Sequence, residues 1–416
     1  MIEMLRYGFV GAGFIAKFHL EALRQVRGIE VAGFVSRTEP TELVAFARQH
    51  GLGEARVFDS VMEMVPHVDV VVILTPNMTR LEIVEEIVDA VKAGNPLKAV
   101  VCEKPLGRTL AEARRMLALA KDADLPTVYF ENQLHMKSLK AARTQLCRVM
   151  ETMGPPVLVR SNEEHAGPHK PWFWDPRQQG GGVMSDMGCH CLAVGWYMLT
   201  PPRKPPSFLV PQSVQADLAL LKWGQPRWRQ QLLDQFGVDY SKTPAEDFAT
   251  GIVTYKNPET NQISKSQFTV SWMYDKQGLR LLCDTLGAGY GLEFNTLKTS
   301  LELFVGDAAS AGVADAESAL EKSQATQGLL AVQPNEADLY GYTDEHVDVR
   351  DAILENRPPL LDWEYGLEIV RLNLAAYLSS ERGAVVDLTD PATLAELETY
   401  VPLIQQGRGL EVLNVQ

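Results

Sequence analysis

Three short stretches of this chain carry side chains whose types and spacing suit proton transfer and phosphate binding. The first, "KAVVCEKPLGRT", closes an apolar run with Glu103-Lys104-Pro105. An ammonium just past a buried strand is costly to desolvate unless something uses it. Ligands of open α/β sheets bind beyond the carboxyl ends of the strands, which is where Lys104 falls. There it can hydrogen-bond a hydroxyl and stabilise developing alkoxide charge. Paired only with Glu103, it would be structural. The second stretch, "QQGGGVMSDMGCHCLAVGWYML" (178–199), has three glycines ahead of a helix, with Asp186 and His190 four residues apart. On a helix that spacing sets both on one face. Together with Lys104 they form a proton-transfer set, with His190 as base and Lys104 polarising the same hydroxyl.

The third stretch is "GFVGAGFIAKFH", in which Gly11, Gly13 and Ala16 fit G-x-G-x-x-A at the end of the first strand. Gly11 allows the tight turn, Gly13 lets backbone approach a pyrophosphate, and Ala16 permits close helix–strand packing. Phe14 and Ile15 open the helix whose amino end faces the phosphates. The second strand ends in "FVSRTEP", with Ser36, Arg37 and Thr38 where an NAD binder usually has Asp or Glu. Hydroxyls and a guanidinium suit a 2′-phosphate, so the cofactor reading is NAD(P) with a lean toward NADP.

Elements that position these residues follow from periodicity. Apolar β-branched runs at 6–13, 30–36, 55–58, 68–75, 98–104 and 126–132 alternate with helical patterns at 14–27, 40–50, 60–65, 79–93 and 109–123. That alternation predicts right-handed βαβ crossovers and a parallel sheet over residues 1–131. From 132 to 416 the texture changes. A helix is expected over 136–152, then extended segments at 157–163, 213–221, 247–256, 265–275 and 279–284, partly with two-residue alternation, and a closing helix near 364–380 that packs back on the first domain. The fold class is therefore α/β: a Rossmann domain plus an α/β domain with a large, mainly antiparallel open sheet. Residues 307–337, rich in Ala, Ser and Gln, read as an insertion.

Composition narrows the function. The chain has 416 residues, 46% hydrophobic and 22% charged, with no apolar run near the ~20 residues that span a bilayer. A net charge of −14 disfavours nucleic acid and anionic membranes as partners. The amino terminus enters a strand without a basic or apolar leader, and five cysteines show no regular spacing, so a cytoplasmic location is expected. Cys189 and Cys191 diverge on a helix, so no metal is expected there.

The ordered set Gly11-x-Gly13-x-x-Ala16, Thr75-Pro76-Asn77, Glu103-Lys104-Pro105 and "GGGxxxDxGxH" (180–190) resembles the Gfo/Idh/MocA family of nicotinamide-dependent oxidoreductases. The resemblance extends to "NRPPLLDWEYGLEIVRLNLAAYLSSERGAVVDL" (356–388). It implies that Lys104 contacts the reacting hydroxyl, Asp186 binds substrate and orients the base, and His190 accepts the proton. It also implies a homodimer or homotetramer and hydride transfer at a secondary alcohol of a sugar or cyclitol. Thr79-Arg80 stands where the family often has a histidine.

Beside the second motif, "SNEEHAGPHKPWFWDPRQQGGG" (161–182) offers Trp172, Phe173 and Trp174 as faces for a sugar ring, and His165, His169, Lys170 and Arg177 as donors. Alternatively, the tryptophans cap the core. Asn132 and His135, after the sixth strand, are further pocket candidates. The favoured reading is oxidation of a ring hydroxyl of a sugar or glycoside, such as that at C3. A redox-cycling glycosidase needs the same residues plus a base for the C2 proton, which the sequence does not identify. A cofactor-sensing regulator would not need the intact Lys104, Asp186 and His190.

Overall fold

The computed structural model describes residues 4–276, 278–298, 302–305, 328–331 and 335–413. The chain folds as two compact units. Met1–Lys137 with Ala337–Val370 form one, and Ser138–Glu336 with Arg371–Gln416 the other.

In the first unit six strands all pair in parallel: β1 (Leu5–Val10), β2 (Ile29–Val35), β3 (Arg56–Val57), β4 (Val70–Ile73), β5 (Ala99–Glu103) and β6 (Thr127–Phe130). Their order is β3-β2-β1-β4-β5-β6. Every residue of β4 and β5 is buried, which explains the uninterrupted apolar runs VVVI and AVVC. Strand order reverses between β1 and β4, the switch point beyond which such sheets bind ligands. The returning segment 337–370 adds a helix, Tyr342–Leu354, packed on helix Phe14–Leu23. Trp363 Nε1 donates to the Val128 carbonyl at 3.0 Å along the outer strand β6. Sequence periodicity predicts no helix at 342–354. The face it buries includes Glu345 and His346, so no continuous apolar stripe marks it.

The second unit holds β7 (Leu158–Glu164), β8 (Val210–Ala219), β9 (Phe248–Lys256), β10 (Ile263–Ser271), β11 (Arg280–Gly287), β12 (Tyr290–Asn295) and, as a separate antiparallel pair, β13 (Glu302–Val305) and β14 (Gly328–Ala331). With β15 (Val386–Asp387) the larger sheet runs β12-β11-β7-β10-β9-β8-β15. Its pairs are antiparallel except β7 with β10. Helix Cys189–Leu199 packs on β7 and β10. It lies so near the sheet that a Cβ on Gly195 would stand 1.9 Å from Ser266 Oγ. Ser161 Oγ donates to the Cys191 carbonyl at 2.8 Å, pinning the first turn of that helix. Helix Pro226–Phe236, also not expected from the sequence, buries only Leu232. Most of the expected insertion at 307–337 lies outside the described residues. Among the described residues no helix is long and apolar enough to cross a membrane.

Candidate active site

Residues singled out in the sequence fall on both units. On the first, the turn after β1 follows the glycine pattern. Gly11 has φ +106°, and a Cβ there would press within 3.0 Å of the Leu74 backbone. Only glycine fits both the dihedral and the approach to the end of β4. Gly13 faces open space: a Cβ added there would meet nothing within 4 Å. Helix Phe14–Leu23 begins there with no side-chain cap and no acidic residue in its first turn. Its amino-terminal N–H groups and partial positive charge thus suit a dinucleotide's pyrophosphate. Ala16 is fully buried against the sheet, while Phe14 and Ile15 are half-buried. Ser36 and Arg37 follow β2. Ser36 Oγ accepts from the Thr38 amide at 3.3 Å, and Arg37 is exposed.

Thr75-Pro76-Asn77 and Glu103-Lys104-Pro105 follow β4 and β5, and Arg80 ties them together. This buried guanidinium donates to the carbonyls of Thr75 (3.2 Å), Glu103, Lys104 (3.2 Å) and Pro105. In the sequence Arg80 marks only a departure from the family pattern. Its purchase on both loops appears only in three dimensions. Lys104 is half-buried, and the Lys104–Pro105 peptide bond is cis.

Glu103 is not simply the partner of Lys104. Its Oε1 lies 3.1 Å from His19 Nε2, and its Oε2 accepts the Lys104 amide at 3.1 Å. His19 Nδ1 in turn lies 2.9 Å from His346 Nε2. Burial pushes the Glu103 carboxyl upward, yet His19, Lys104 and Arg80 overcome this and hold it below the usual carboxylate range. Burial, with His19 and His135 nearby, drives His346 well below the ordinary imidazole value. The ionised Glu103 can only accept, so His19 Nε2 donates to it, and the chain continues through His19 Nδ1 to His346 Nε2. Both ring nitrogens of His19 are thereby engaged, although His19, Glu103 and Glu345 lie near enough to one another to hold a cation. Burial, then the charges of Glu103 and Glu131, raise Glu345 well above a normal carboxyl. This hydrogen-bond chain fixes the strand end that delivers Lys104.

On the second unit, Met184–Gly188 form one π-helical turn that runs into helix Cys189–Leu199. Single π turns within helices recur at functional sites. Asp186 and His190 are buried at this junction, on the same side of the helix. His165, at the end of β7, is also buried. Its Nδ1 accepts the Gly167 amide at 2.9 Å, and its Nε2 lies 3.9 Å from Asp186 Oδ2. An accepting Nδ1 leaves the ring proton of neutral His165 on Nε2, directed at Asp186. The carboxylate therefore has His165 on one side and His190 one turn along.

Other candidates have structural work. Trp174 is 1% exposed, its ring packed against Trp223 and Trp272 at centroid distances of 4.7 and 4.9 Å and against Phe236 and Tyr240 at 6.1 Å. Its Nε1 donates to the Pro168 carbonyl at 3.1 Å. No face remains for a sugar, so this tryptophan caps the core instead. Trp172 keeps a partly exposed ring, stacked on Phe173 at 3.8 Å. Asn132 spends its amide on the Tyr340 carbonyl at 2.8 Å. His135 is buried, His169 half-buried, and Lys170 and Arg177 are exposed.

Comparison with known proteins agrees with this fold. Residues 5–130 match the profile described as "Oxidoreductase family, NAD-binding Rossmann fold", and residues 150–284 that of the "GFO/IDH/MocA C-terminal domain". A 1,5-anhydro-D-fructose reductase of Ensifer adhaerens is 32% identical over 192 residues, 45% of this chain and 54% of that protein. An inositol 2-dehydrogenase of Rhizobium meliloti is 28% identical over 220 residues, 52% and 61% of the two chains. The chain thus spans little more than half the length of these curated relatives. Among solved structures, GenD2 from gentamicin A biosynthesis, in complex with NAD, superposes with a TM-score of 0.71 at 23% identity, covering 93% of this chain and 97% of that one. The chain belongs to the Gfo/Idh/MocA family of NAD-binding oxidoreductases.

Proposed function

We propose that this protein moves hydride between a nicotinamide cofactor and a ring hydroxyl of a sugar, cyclitol or glycoside, with C3 of a pyranose favoured. When bound, the nicotinamide supplies the position that accepts or returns the hydride. His190 takes the proton from the hydroxyl oxygen, Asp186 orients that imidazole and the substrate, and Lys104 donates to the same oxygen as its charge develops. The observation that carries this reading is the buried Asp186 carboxylate, set against His165 and one turn from His190 at a π-helical junction. In the cofactor half, Ser36 and Arg37 favour NADP, because a guanidinium and a hydroxyl suit a 2′-phosphate better than a bare ribose hydroxyl. Trp172 and His165 complete the proposed sugar-facing side.

The His165–Asp186 pair favours a second reading. A redox-cycling glycosidase needs a base for the C–H beside the oxidised carbon. In this buried pair, His165 Nδ1 already accepts the Gly167 amide and Nε2 carries the ring proton, so the Asp186 carboxylate, 3.9 Å from that Nε2, is the group with the chemistry for that step. Both readings meet one test. The purified chain is incubated with inositols, 1,5-anhydro sugars and aryl glycosides, with NAD and with NADP, while reduced cofactor and released aglycone are followed together. Reduced cofactor in step with oxidised substrate is expected, lost by a factor of about 100 or more in Lys104→Ala. Aglycone released at substoichiometric cofactor selects the second reading. No turnover with any pair, although wild type binds cofactor, refutes both.

A further inference from the structure

The first four N–H groups of a helix have no partner within it. At the entry to the Asp186–His190 helix they are all answered from two residues far away in sequence. Gly182 N–H donates to both carboxylate oxygens of Glu246 (2.9 and 3.0 Å), Val183 N–H to the Glu246 backbone carbonyl (3.0 Å), and Met184 N–H to Glu246 Oε1 (3.0 Å). Ser185 N–H donates to the Tyr377 hydroxyl (3.2 Å), which itself donates to Glu246 Oε1 at 2.6 Å. Glu246 and Tyr377 are both buried. Asp186 N–H then bonds the Gly182 carbonyl at 3.1 Å and regular winding begins.

The glycine run is the imprint of these two residues. A Cβ on Gly182 would stand 2.1 Å from the Glu246 carbonyl oxygen and 2.9 Å from its carboxylate. A Cβ on Gly181, whose φ is +154°, would stand 1.9 Å from the Tyr377 hydroxyl. Any side chain here would push the cap off the helix end. Four N–H groups held by one carboxylate, one carbonyl and one phenol fix the rotation and height of the turn that starts at Gly182. Asp186 and His190 are the next polar groups along it.

We propose that Glu246 and Tyr377 are the positioning residues of the catalytic helix, an N-cap supplied from elsewhere in the fold that sets the aim of Asp186 and His190. The consequence for turnover rests on the oxidoreductase reading, whereas the cap does not. The test uses the full chain with 15N-labelled histidine, comparing wild type, Tyr377→Phe, Glu246→Gln and Glu246→Leu, with His190→Asn to assign the His190 ring signals. Tyr377→Phe keeps the ring but removes the hydroxyl that links Ser185 to Glu246. Glu246→Gln keeps an acceptor for Met184 and Gly182. The expected result is displaced His190 ring signals in all three variants, smallest in Glu246→Gln, with those of His50 and His67 unmoved. With a substrate from the panel above, kcat should fall on the order of 100-fold in Glu246→Leu and recover in part in Glu246→Gln. KM for the cofactor, held by other residues, should stay within about twofold. Unshifted His190 signals with wild-type kcat in Tyr377→Phe and Glu246→Leu would overturn the proposal. So would equal disturbance of His50 and His67, which would make the role merely structural. If wild type turns over nothing, the His190 signals still decide the cap, so the two readings fail separately.

Discussion

Replacing Glu246 with glutamine should flatten part of the protein's stability–pH curve. Burial pushes the Glu246 carboxyl from 4.5 up to about 7, despite the hydrogen bonds from Tyr377, Met184 and Gly182. Around it stand Tyr377 and Tyr240, both held well above the ordinary phenol value, and Asp247, raised by burial and bonded by the amides of Leu221, Lys222 and Trp223. Both phenols stay neutral across the range concerned, and Asp247 is common to both proteins, so it cancels in the comparison. A carboxyl whose folded pKa is raised adds stability while protonated, fully so below its unfolded pKa. That contribution is lost as pH climbs through the folded pKa. At about 1.36 kcal/mol for each pH unit between the two values, the full loss is about 3 kcal/mol. About 2 kcal/mol of it falls between about pH 5.5 and about pH 8.5. Urea unfolding of wild type and Glu246→Gln at steps across that range measures it. The expected outcome is a wild-type stability that declines relative to the variant by that amount and levels above about pH 8. Parallel curves, or a wild type that gains on the variant as pH rises, would refute the reasoning.

Two further outcomes are expected. Arg80→Met removes the donor shared by the Thr75, Glu103, Lys104 and Pro105 carbonyls. It should cost about 2–4 kcal/mol in thermal unfolding and weaken cofactor binding by fluorescence titration; cofactor affinity equal to wild type would separate this clamp from the site. Trp174→Ala should lose about 3–5 kcal/mol by emptying a packed aromatic cluster, whereas Trp172→Ala should lose under about 1 kcal/mol and raise the substrate KM, a contrast read by paired melts and kinetics.

The sequence by itself determined the parallel sheet, because βαβ crossovers repeat a pattern that local physics enforces: β-branched runs buried on both faces, glycine at the first turn, amphipathic helices between. It also singled out Lys104, Asp186 and His190 as the candidate catalytic residues, since each stands in a short motif with its own spacing. It could not show what holds them. Arg80 lies more than twenty residues from the carbonyls of Glu103, Lys104 and Pro105. His346 reaches His19 from 327 positions away, and Tyr377 reaches Glu246 across 131. Such pairs leave no periodic trace, and the helix bearing Glu345 and His346 lacks even a continuous apolar stripe, because those two and Thr343 interrupt the buried face shared by Tyr342, Val349 and Ala352. Only the tertiary structure decided that Trp174 belongs to the core while Trp172 keeps an open face. Two tryptophans two residues apart look alike in sequence, and burial is a property of everything packed around them.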